Sequence, residues 1–175
     1  MVGRKIGDKS LCLVREDITE MEVDAFVFDV TEDLKLGSGF GAAIQQRGGI
    51  VIQKELDELG SCPTGEAVVT EAGILKADWI IHANGPKFRE ENEEDKLRRT
   101  IQSALARAEE KGVKRLAFSP MGTGLYQVPL DLCSRVMVDT ISQHLANGCT
   151  LEEVLIAAPD NREFDPFKAQ IEEGA

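Results

Sequence analysis

The sequence has few cations for its size. Its 20 Lys and Arg face 31 Asp and Glu, so the formal net charge is −11 over 175 residues. Because affinity for nucleic-acid backbones comes from clustered Lys and Arg, this balance argues against a sequence-independent nucleic-acid binder. Aromatic residues make up only 5% of the chain, which leaves little material for stacking bases. A small anionic ligand stays possible, because local backbone amides can hold it against an unfavourable overall field.

Metal-ligand patterns, disulfide patterns and long apolar runs are also missing. The chain has four cysteines without a Cys-x-x-Cys pair, at Cys12, Cys62, Cys133 and Cys149. With only two histidines, no metal-ligand spacing is recognisable, so we expect no metal site and unpaired thiols in a reducing compartment. No apolar run approaches the roughly 20 residues of a membrane span, and Met1 to Ser10 lack the apolar core of a signal peptide. These absences predict a cytoplasmic protein without a membrane partner.

Two common phosphate-binding motifs are absent as well. No Gly-Lys-Ser/Thr occurs in the chain, which excludes a Walker loop. The glycine loop at 37–41 has Ala42 where the dinucleotide fingerprint needs its third glycine, and polar residues separate the loop from the preceding apolar run. A phosphate site in this chain would therefore belong to another type.

Predicted strands and helices alternate along the chain. Apolar runs predict strands over 10–15, 23–30, 67–70, 79–83, 115–118 and 154–158. Helical periodicity predicts helices near 42–47, over 50–59, over 97–108, after Pro129 and over 165–172. His82 lies inside an apolar strand and is interpreted as a hydrogen-bonded structural residue. The pattern predicts one domain over 1–175, with its core at about 10–160 and a largely parallel sheet covered on both faces.

Two glycine loops follow predicted strands. Gly122 and Gly124 come after the strand at 115–118, and Pro129 suits the first turn of the next helix. The loop at 37–41 follows the strand at 23–30. Such turns can direct several N–H groups at one phosphate, and in a parallel sheet both would lie at the carboxyl ends of strands, where ligands bind. A tight connection without a ligand is the alternative for either loop taken alone.

Four motifs occur in a fixed order between about Leu13 and Ala158. They are Glu16-Asp17-Ile18-Thr19 before Val23-Asp24-Ala25, Gly65-Glu66-Ala67 before Thr70, Ile81-His82 before Gly85-Pro86, and Gly122-Thr123-Gly124-Leu125-Tyr126 before Pro129. Together they resemble the macro domains, the ADP-ribose-binding, Appr-1-p processing family. The resemblance implies a three-layer α/β/α sandwich with a mixed, largely parallel central sheet.

The resemblance also implies a role for each matching residue. Asp17 would accept a hydrogen bond from the adenine amine, and the Ile18 backbone N–H would meet the adenine ring nitrogen. Thr31 and Tyr126 would lie against the distal ribose. Two sets of residues would enclose the diphosphate: Gly37, Ser38, Gly39 and Phe40 on one side, and Gly122, Thr123, Gly124 and Leu125 on the other. For Asp17, a cap of a helix or turn is the alternative.

Two departures from the family pattern concern catalysis. The family's Val-Asn-Ala-Ala-Asn reads Val27-Phe28-Asp29-Val30-Thr31, so Thr31 replaces the asparagine that contacts the distal ribose. Gly41 stands where the mono-ADP-ribosylhydrolase branch has an aspartate, and the glutamate pair of poly(ADP-ribose) glycohydrolases is absent. The catalytic residues are therefore unassigned.

Three functions follow as hypotheses. The leading one is a module, without a cofactor, that binds ADP-ribose or an ADP-ribosylated protein. The second is a weak hydrolase of ADP-ribosyl groups or of O-acetyl-ADP-ribose, in which the substrate itself holds the attacking water. The third is a reader of adenine-rich RNA, which the acidic charge and the few aromatic residues disfavour.

Overall fold

The computed structural model of the chain describes residues 2–37, 40–123 and 127–173. The strands are β1 (Val2–Ile6), β2 (Lys9–Val14), β3 (Ala25–Asp29), β4 (Glu66–Glu71), β5 (Trp79–Asn84), β6 (Arg115–Phe118) and β7 (Glu153–Ala157). The helices are α1 (Phe40–Gly48), α2 (Val51–Leu59), α3 (Glu93–Glu110), α4 (Leu130–Ala146) and α5 (Asn161–Glu173). A short 3-10 turn, Ile18–Glu20, follows β2. None of the described helices combines the length and the apolar character that crossing a membrane requires.

The seven strands form one mixed sheet in the order β1-β2-β7-β6-β3-β5-β4. The five inner strands are parallel to one another, whereas the edge strands β1 and β4 run antiparallel to β2 and β5. Helices α3, α4 and α5 cover one face, and α1 and α2 cover the other. The predicted three-layer α/β/α sandwich with a largely parallel sheet is confirmed.

Strand β3 is buried on both faces, which explains its uninterrupted apolar sequence. Successive side chains of a strand point to opposite faces. Ala25 and Val27 therefore lie in the core beneath α3 and α4, while Phe26 lies in the core beneath α1 and α2, and all three are fully buried. A strand covered on both faces needs apolar residues at every position.

Asp24 connects three parallel strands at their amino ends. Its carboxylate Oδ2 accepts hydrogen bonds from the backbone N–H groups of Lys114 and Arg115, both at 2.9 Å. Its backbone carbonyl accepts from Asp78 and Trp79 at 3.0 and 3.2 Å. Because β3, β5 and β6 start from one shared set of hydrogen bonds, their carboxyl ends also finish side by side.

The sequence did not predict strand β1. Its five residues contain one glycine and two cations, so the apolar alternation is weak. Tertiary contacts stabilise this edge strand: the Arg4 guanidinium donates to the carbonyls of Gln170 and Ile171 in α5, both at 2.9 Å. These partners lie more than 160 residues away and leave no local signal.

Helix α5 begins at Asn161, four residues before the predicted start at 165. The Asp160 carboxylate accepts a hydrogen bond from the Glu163 N–H at 2.8 Å and so supplies the missing start signal. Pro166 lies inside the helix. The helix therefore continues through a residue that supplies no backbone N–H, and its first turn lies before this proline.

Candidate functional site

A cleft of about 560 Å³ opens at the carboxyl ends of the parallel strands. Its walls come from the segments that follow β2, β3, β6 and β7, with Ile18, Asp29, Ser119 and Pro159 as representatives. The ends of parallel strands are the usual ligand position in open α/β sheets, and this volume lies in the range of small-molecule sites. Of the residues in and next to the predicted glycine loops, Leu36, Gly41 and Thr123 line this cleft.

The cleft is rich in acids. Four carboxylates line it, from Glu16, Asp29, Asp160 and Glu163, and Lys35 is the only cation among the described lining residues. The Lys35 Nζ already forms an ion pair with Asp57 at 2.7 Å. An anion bound here would therefore depend on backbone amides and hydroxyl groups.

Asp17 adjoins the cleft and caps the 3-10 turn. Its Oδ1 accepts from the backbone N–H of Thr19 at 2.9 Å and from the Thr19 hydroxyl at 2.7 Å, while its Oδ2 accepts from Arg47 at 2.7 Å. Partial burial raises the pKa of Asp17, but hydrogen bonds from Arg47 and Thr19 outweigh burial and leave the pKa lowered. Both oxygens thus have partners, and an adenine amine would have to share Oδ2 with Arg47. Ile18, the second predicted adenine contact, lines the cleft.

The segment just before the first glycine loop is held by a side chain from α2. The Gln53 amide accepts from the Leu36 N–H at 3.0 Å and donates to the Leu34 carbonyl at 2.9 Å. Gly37 has a φ of +53°, which favours glycine. Ser38, Gly39 and the side chain of Phe40, all predicted diphosphate contacts, lie outside the described residues.

Gly41 leaves no room for a side chain. A Cβ on this residue would lie 1.8 Å from the Leu36 carbonyl oxygen, well inside van der Waals contact. The Leu36 carbonyl, just before the glycine loop, therefore occupies the space that the side chain of an aspartate at position 41 would need. Consequently, Gly41→Asp would disturb the loop and would not simply supply a catalytic carboxylate.

Thr31, at the family's asparagine position, lines the cleft. Its hydroxyl donates a short hydrogen bond to the Asp33 carboxylate, which also accepts from the Lys35 N–H at 3.2 Å. The hydroxyl proton is therefore already used, and only the oxygen lone pairs of Thr31 remain for a ligand.

The second glycine loop is joined to β3 through a carboxylate. Gly122 has a φ of +75°, and its N–H donates to Asp29 Oδ2 at 2.7 Å. A Cβ on Gly122 would lie 2.8 Å from Val128 Cγ2, so a larger residue would strain the loop with or without a phosphate. Thr123 lines the cleft, whereas Gly124, Leu125 and Tyr126 fall in the part of the chain that the structure does not describe.

Asp29 is a site residue that the sequence interpretation left without a role. Its Oδ1 is shielded from solvent and has no hydrogen-bond partner among the described residues. Burial raises the pKa of Asp29 to about 7, against the opposing effect of the Gly122 N–H, and the charge of Glu163 raises it further. The sequence did contain a signal for this residue, because it places a carboxylate at the end of an apolar strand, where the family motif has alanine.

His82 is fully buried and forms a 2.9 Å hydrogen bond between its Nε2 and the Thr70 hydroxyl. Burial lowers the pKa of His82 to about 3, so the imidazole is neutral at physiological pH. The prediction of a hydrogen-bonded structural histidine is confirmed. All four cysteines are free, as predicted.

The structure brings together one group of possible metal ligands that the sequence spacing did not indicate. Single ligand atoms of Glu109, His144 and Cys149 lie within 4.8 Å of one another. Both carboxylate oxygens of Glu109 have partners already, because Oε1 lies 3.0 Å from His144 Nε2 and Oε2 accepts from the Thr150 N–H at 3.0 Å. We interpret this group as a network that joins the ends of α3 and α4 to the segment before β7.

The fold and the cleft define an α/β/α domain with an open cleft at the carboxyl ends of its parallel strands. The Macro domain family model matches residues 29–137. A protein of Saccharolobus solfataricus is 38% identical over 161 residues, which cover 90% of this chain and 89% of that relative. The O-acetyl-ADP-ribose deacetylase 1 of Pantoea vagans is 32% identical over 165 residues, which cover 91% of this chain and 96% of the deacetylase.

The solved structures agree with the sequence matches. The Trypanosoma brucei macrodomain in complex with ADP-ribose has a TM-score of 0.84 at 26% identity, over 90% of this chain and 67% of that chain. The chain therefore belongs to the macro domain family, whose members bind ADP-ribose.

We predict that Asp17→Ala lowers the free energy of unfolding by about 0.5–2 kcal/mol, because the 3-10 turn loses its cap. Urea unfolding measures the change. Arg47→Ala is the matched control, since it removes the exposed ion pair but leaves the cap, and such pairs contribute about 0–1 kcal/mol. If Asp17→Ala costs no more than Arg47→Ala, the cap is not what stabilises this turn.

We also predict that Asp29→Asn is stabilised relative to the wild type, and that this difference grows as the pH rises from 5 to 8. Folding raises the pKa of Asp29 from an ordinary value of 3.8 to about 7, so between these values the folded protein holds more protons than the unfolded chain. Stability from this group therefore falls as pH rises through that window. Asparagine keeps an oxygen for the Gly122 N–H and cannot ionise. Melting temperatures of both proteins across the pH series measure the effect, and a constant difference would contradict it.

Proposed function

We propose that this chain binds ADP-ribose in the cleft, either free or attached to a protein, within the cytoplasm. The observation that carries the proposal is the position of the cleft, at the carboxyl ends of the central strands and between the segments that contain the two glycine loops. Support comes from a family member of the same fold that was solved with ADP-ribose. No cofactor is part of this proposal.

In the proposed arrangement the adenine lies near Ile18, with Asp17 at its amine. The diphosphate extends between the first loop, Gly37 to Phe40, and the second loop, Gly122 to Leu125. The distal ribose then reaches Thr31 and Tyr126. This orientation of the ligand is supported by the lining of the cleft, to which the segment after β2 contributes Ile18, the segment after β3 contributes Thr31 and the segment after β6 contributes Thr123.

Hydroxyl and amide groups would hold the diphosphate, because the described lining offers one cation and Asp57 already neutralises it. Ser119 and Thr123 both line the cleft. Their hydroxyls donate long hydrogen bonds to the Val27 and Pro120 carbonyls, at 3.3 and 3.4 Å, and would turn from these carbonyls to a bound phosphate. The Gly122 N–H has Asp29 as its acceptor, so we propose that Gly122 shapes the second loop and that the amides after it meet the phosphate. Backbone amides in such loops are an established way to bind phosphate without a cationic side chain.

Hydrolysis is the second candidate function, favoured by the similarity to the deacetylase of Pantoea vagans. Attack on an ester or a glycosidic bond needs a positioned water and a group that accepts its proton. Gly41 supplies no side chain, and the Thr31 hydroxyl donates to Asp33. Turnover would therefore need a water that the substrate itself orients, and we place binding ahead of catalysis.

We predict that ADP-ribose binds more tightly than ADP, and ADP more tightly than AMP, when all three are titrated by calorimetry at one pH and one salt concentration. Only a diphosphate can engage both loops, and only ADP-ribose adds a distal ribose. Equal affinities for ADP-ribose and AMP would contradict the two-loop site. Oligoadenylate in the same series separates the RNA-reader hypothesis, which requires it to bind at least as tightly as ADP-ribose.

We further predict turnover of O-acetyl-ADP-ribose, and of a mono-ADP-ribosylated protein, at or near background. A positioned general base typically contributes about 10²- to 10⁴-fold, and the position that would carry the aspartate is closed to side chains. Product formation followed by chromatography, with the Pantoea vagans deacetylase as positive control, measures the rate. Turnover within tenfold of that control would show that this chain is an enzyme, and Asp33→Asn would then test the carboxylate that accepts from the Thr31 hydroxyl.

A further inference from the structure

The acids of the cleft oppose the ligand proposed for it. Glu16, Asp29, Asp160 and Glu163 all line the space into which a diphosphate would enter. Each phosphate of ADP-ribose has one ester bond to a ribose and shares one anhydride oxygen, so each keeps one negative charge throughout the neutral pH range. Like charges in a partly desolvated cleft repel strongly, because the interior screens them less than water does. Binding would therefore be favoured if one of these acids were neutral.

Asp29 is the acid whose surroundings most favour the neutral form. Its Oδ2 accepts a single hydrogen bond, from the Gly122 N–H at 2.7 Å, and its Oδ1 is shielded from solvent without a partner among the described residues. An ionised carboxylate in such a position lacks the two or three donors that would normally compensate for lost hydration. Asp29 also lines the cleft and contacts Gly122, the first residue of the second glycine loop, so a phosphate bound at this loop would lie near it.

We propose that the cleft takes up one proton, on Asp29, when it binds the diphosphate. This inference rests on the proposed binding of ADP-ribose. Asp29 then acts as a positioning residue: it holds the Gly122 N–H, and its neutral form removes the charge that would repel the ligand. The consequence is that ADP-ribose binds more tightly as the pH falls towards 6.

The other ionisable groups around Asp29 do not replace it in this role. His82, on the neighbouring strand β5, is neutral because burial lowers its pKa to about 3. Burial, together with the charge of Asp29, raises the pKa of the Cys133 thiol on α4, so this thiol stays protonated. Burial and then Asp160 raise the pKa of Glu163 on α5, which makes Glu163 the competing proton acceptor. Glu16 and Lys35 complete the charged lining of the cleft.

The test is calorimetry of ADP-ribose binding at pH 6, 7 and 8, in buffers that differ in ionisation enthalpy and so reveal the number of protons taken up. For the wild type we expect uptake of up to one proton, with affinity falling by up to about tenfold per pH unit above 7. Asp29→Asn should bind with an affinity that changes little with pH and should take up no proton. Asp29→Ala provides a second variant without a carboxylate, should the asparagine fail to fold.

Glu163→Gln is the matched control, since it removes another acid from the same cleft. We expect it to keep the pH dependence, with its midpoint shifted to lower pH because Asp29 loses a negative neighbour. The inference is overturned if wild-type affinity is independent of pH, if Asp29→Asn keeps the wild-type pH dependence, or if Glu163→Gln alone abolishes it. In each of these cases ADP-ribose binding itself stands. Absence of binding at every pH would overturn both proposals.

Discussion

The hydrogen bonds of Asp24 set the geometry on which the site depends. One carboxylate and one carbonyl connect the amino ends of β3, β5 and β6, and this fixes the register of the three parallel strands. From this start β3 and β6 run parallel, with Val27 opposite Phe118, so the residues that follow this pair lie at neighbouring strand ends. Asp29 and Ser119, at the carboxyl ends of β3 and β6, consequently meet at one cleft.

The described lining of the cleft carries more negative than positive side chains, whereas an anion site built from basic residues would be positively charged. The overall charge of −11 continues into the site, where carboxylates outnumber cations among the described lining residues. For the proposed diphosphate, amides, hydroxyls and proton uptake would be the means of binding. Under that proposal the cleft would favour selectivity over affinity, because an anion that cannot engage both loops would have little to offset the repulsion.

Backbone geometry also limits the chemistry that the cleft can perform. The Leu36 carbonyl fills the space beside Gly41, and Gln53 holds Leu36 in place from α2. A catalytic carboxylate at this position would need a different path for the loop, so one substitution does not convert this chain into a typical hydrolase. The Thr31–Asp33 hydrogen bond likewise uses the hydroxyl proton of Thr31.

Local patterns in the sequence predicted the alternation of strands and helices, except for the edge strand β1. Apolar runs such as 115–118 became strands with little change in their bounds, and the glycines and prolines that interrupt them marked the loops at the ligand-binding edge. The properties of the site depended on tertiary contacts. Arg47 reaches Asp17 across 30 residues, and Gly122 meets Asp29 across 93. The raised pKa of Asp29 arises from burial by segments distant in sequence, and no local pattern encodes that burial.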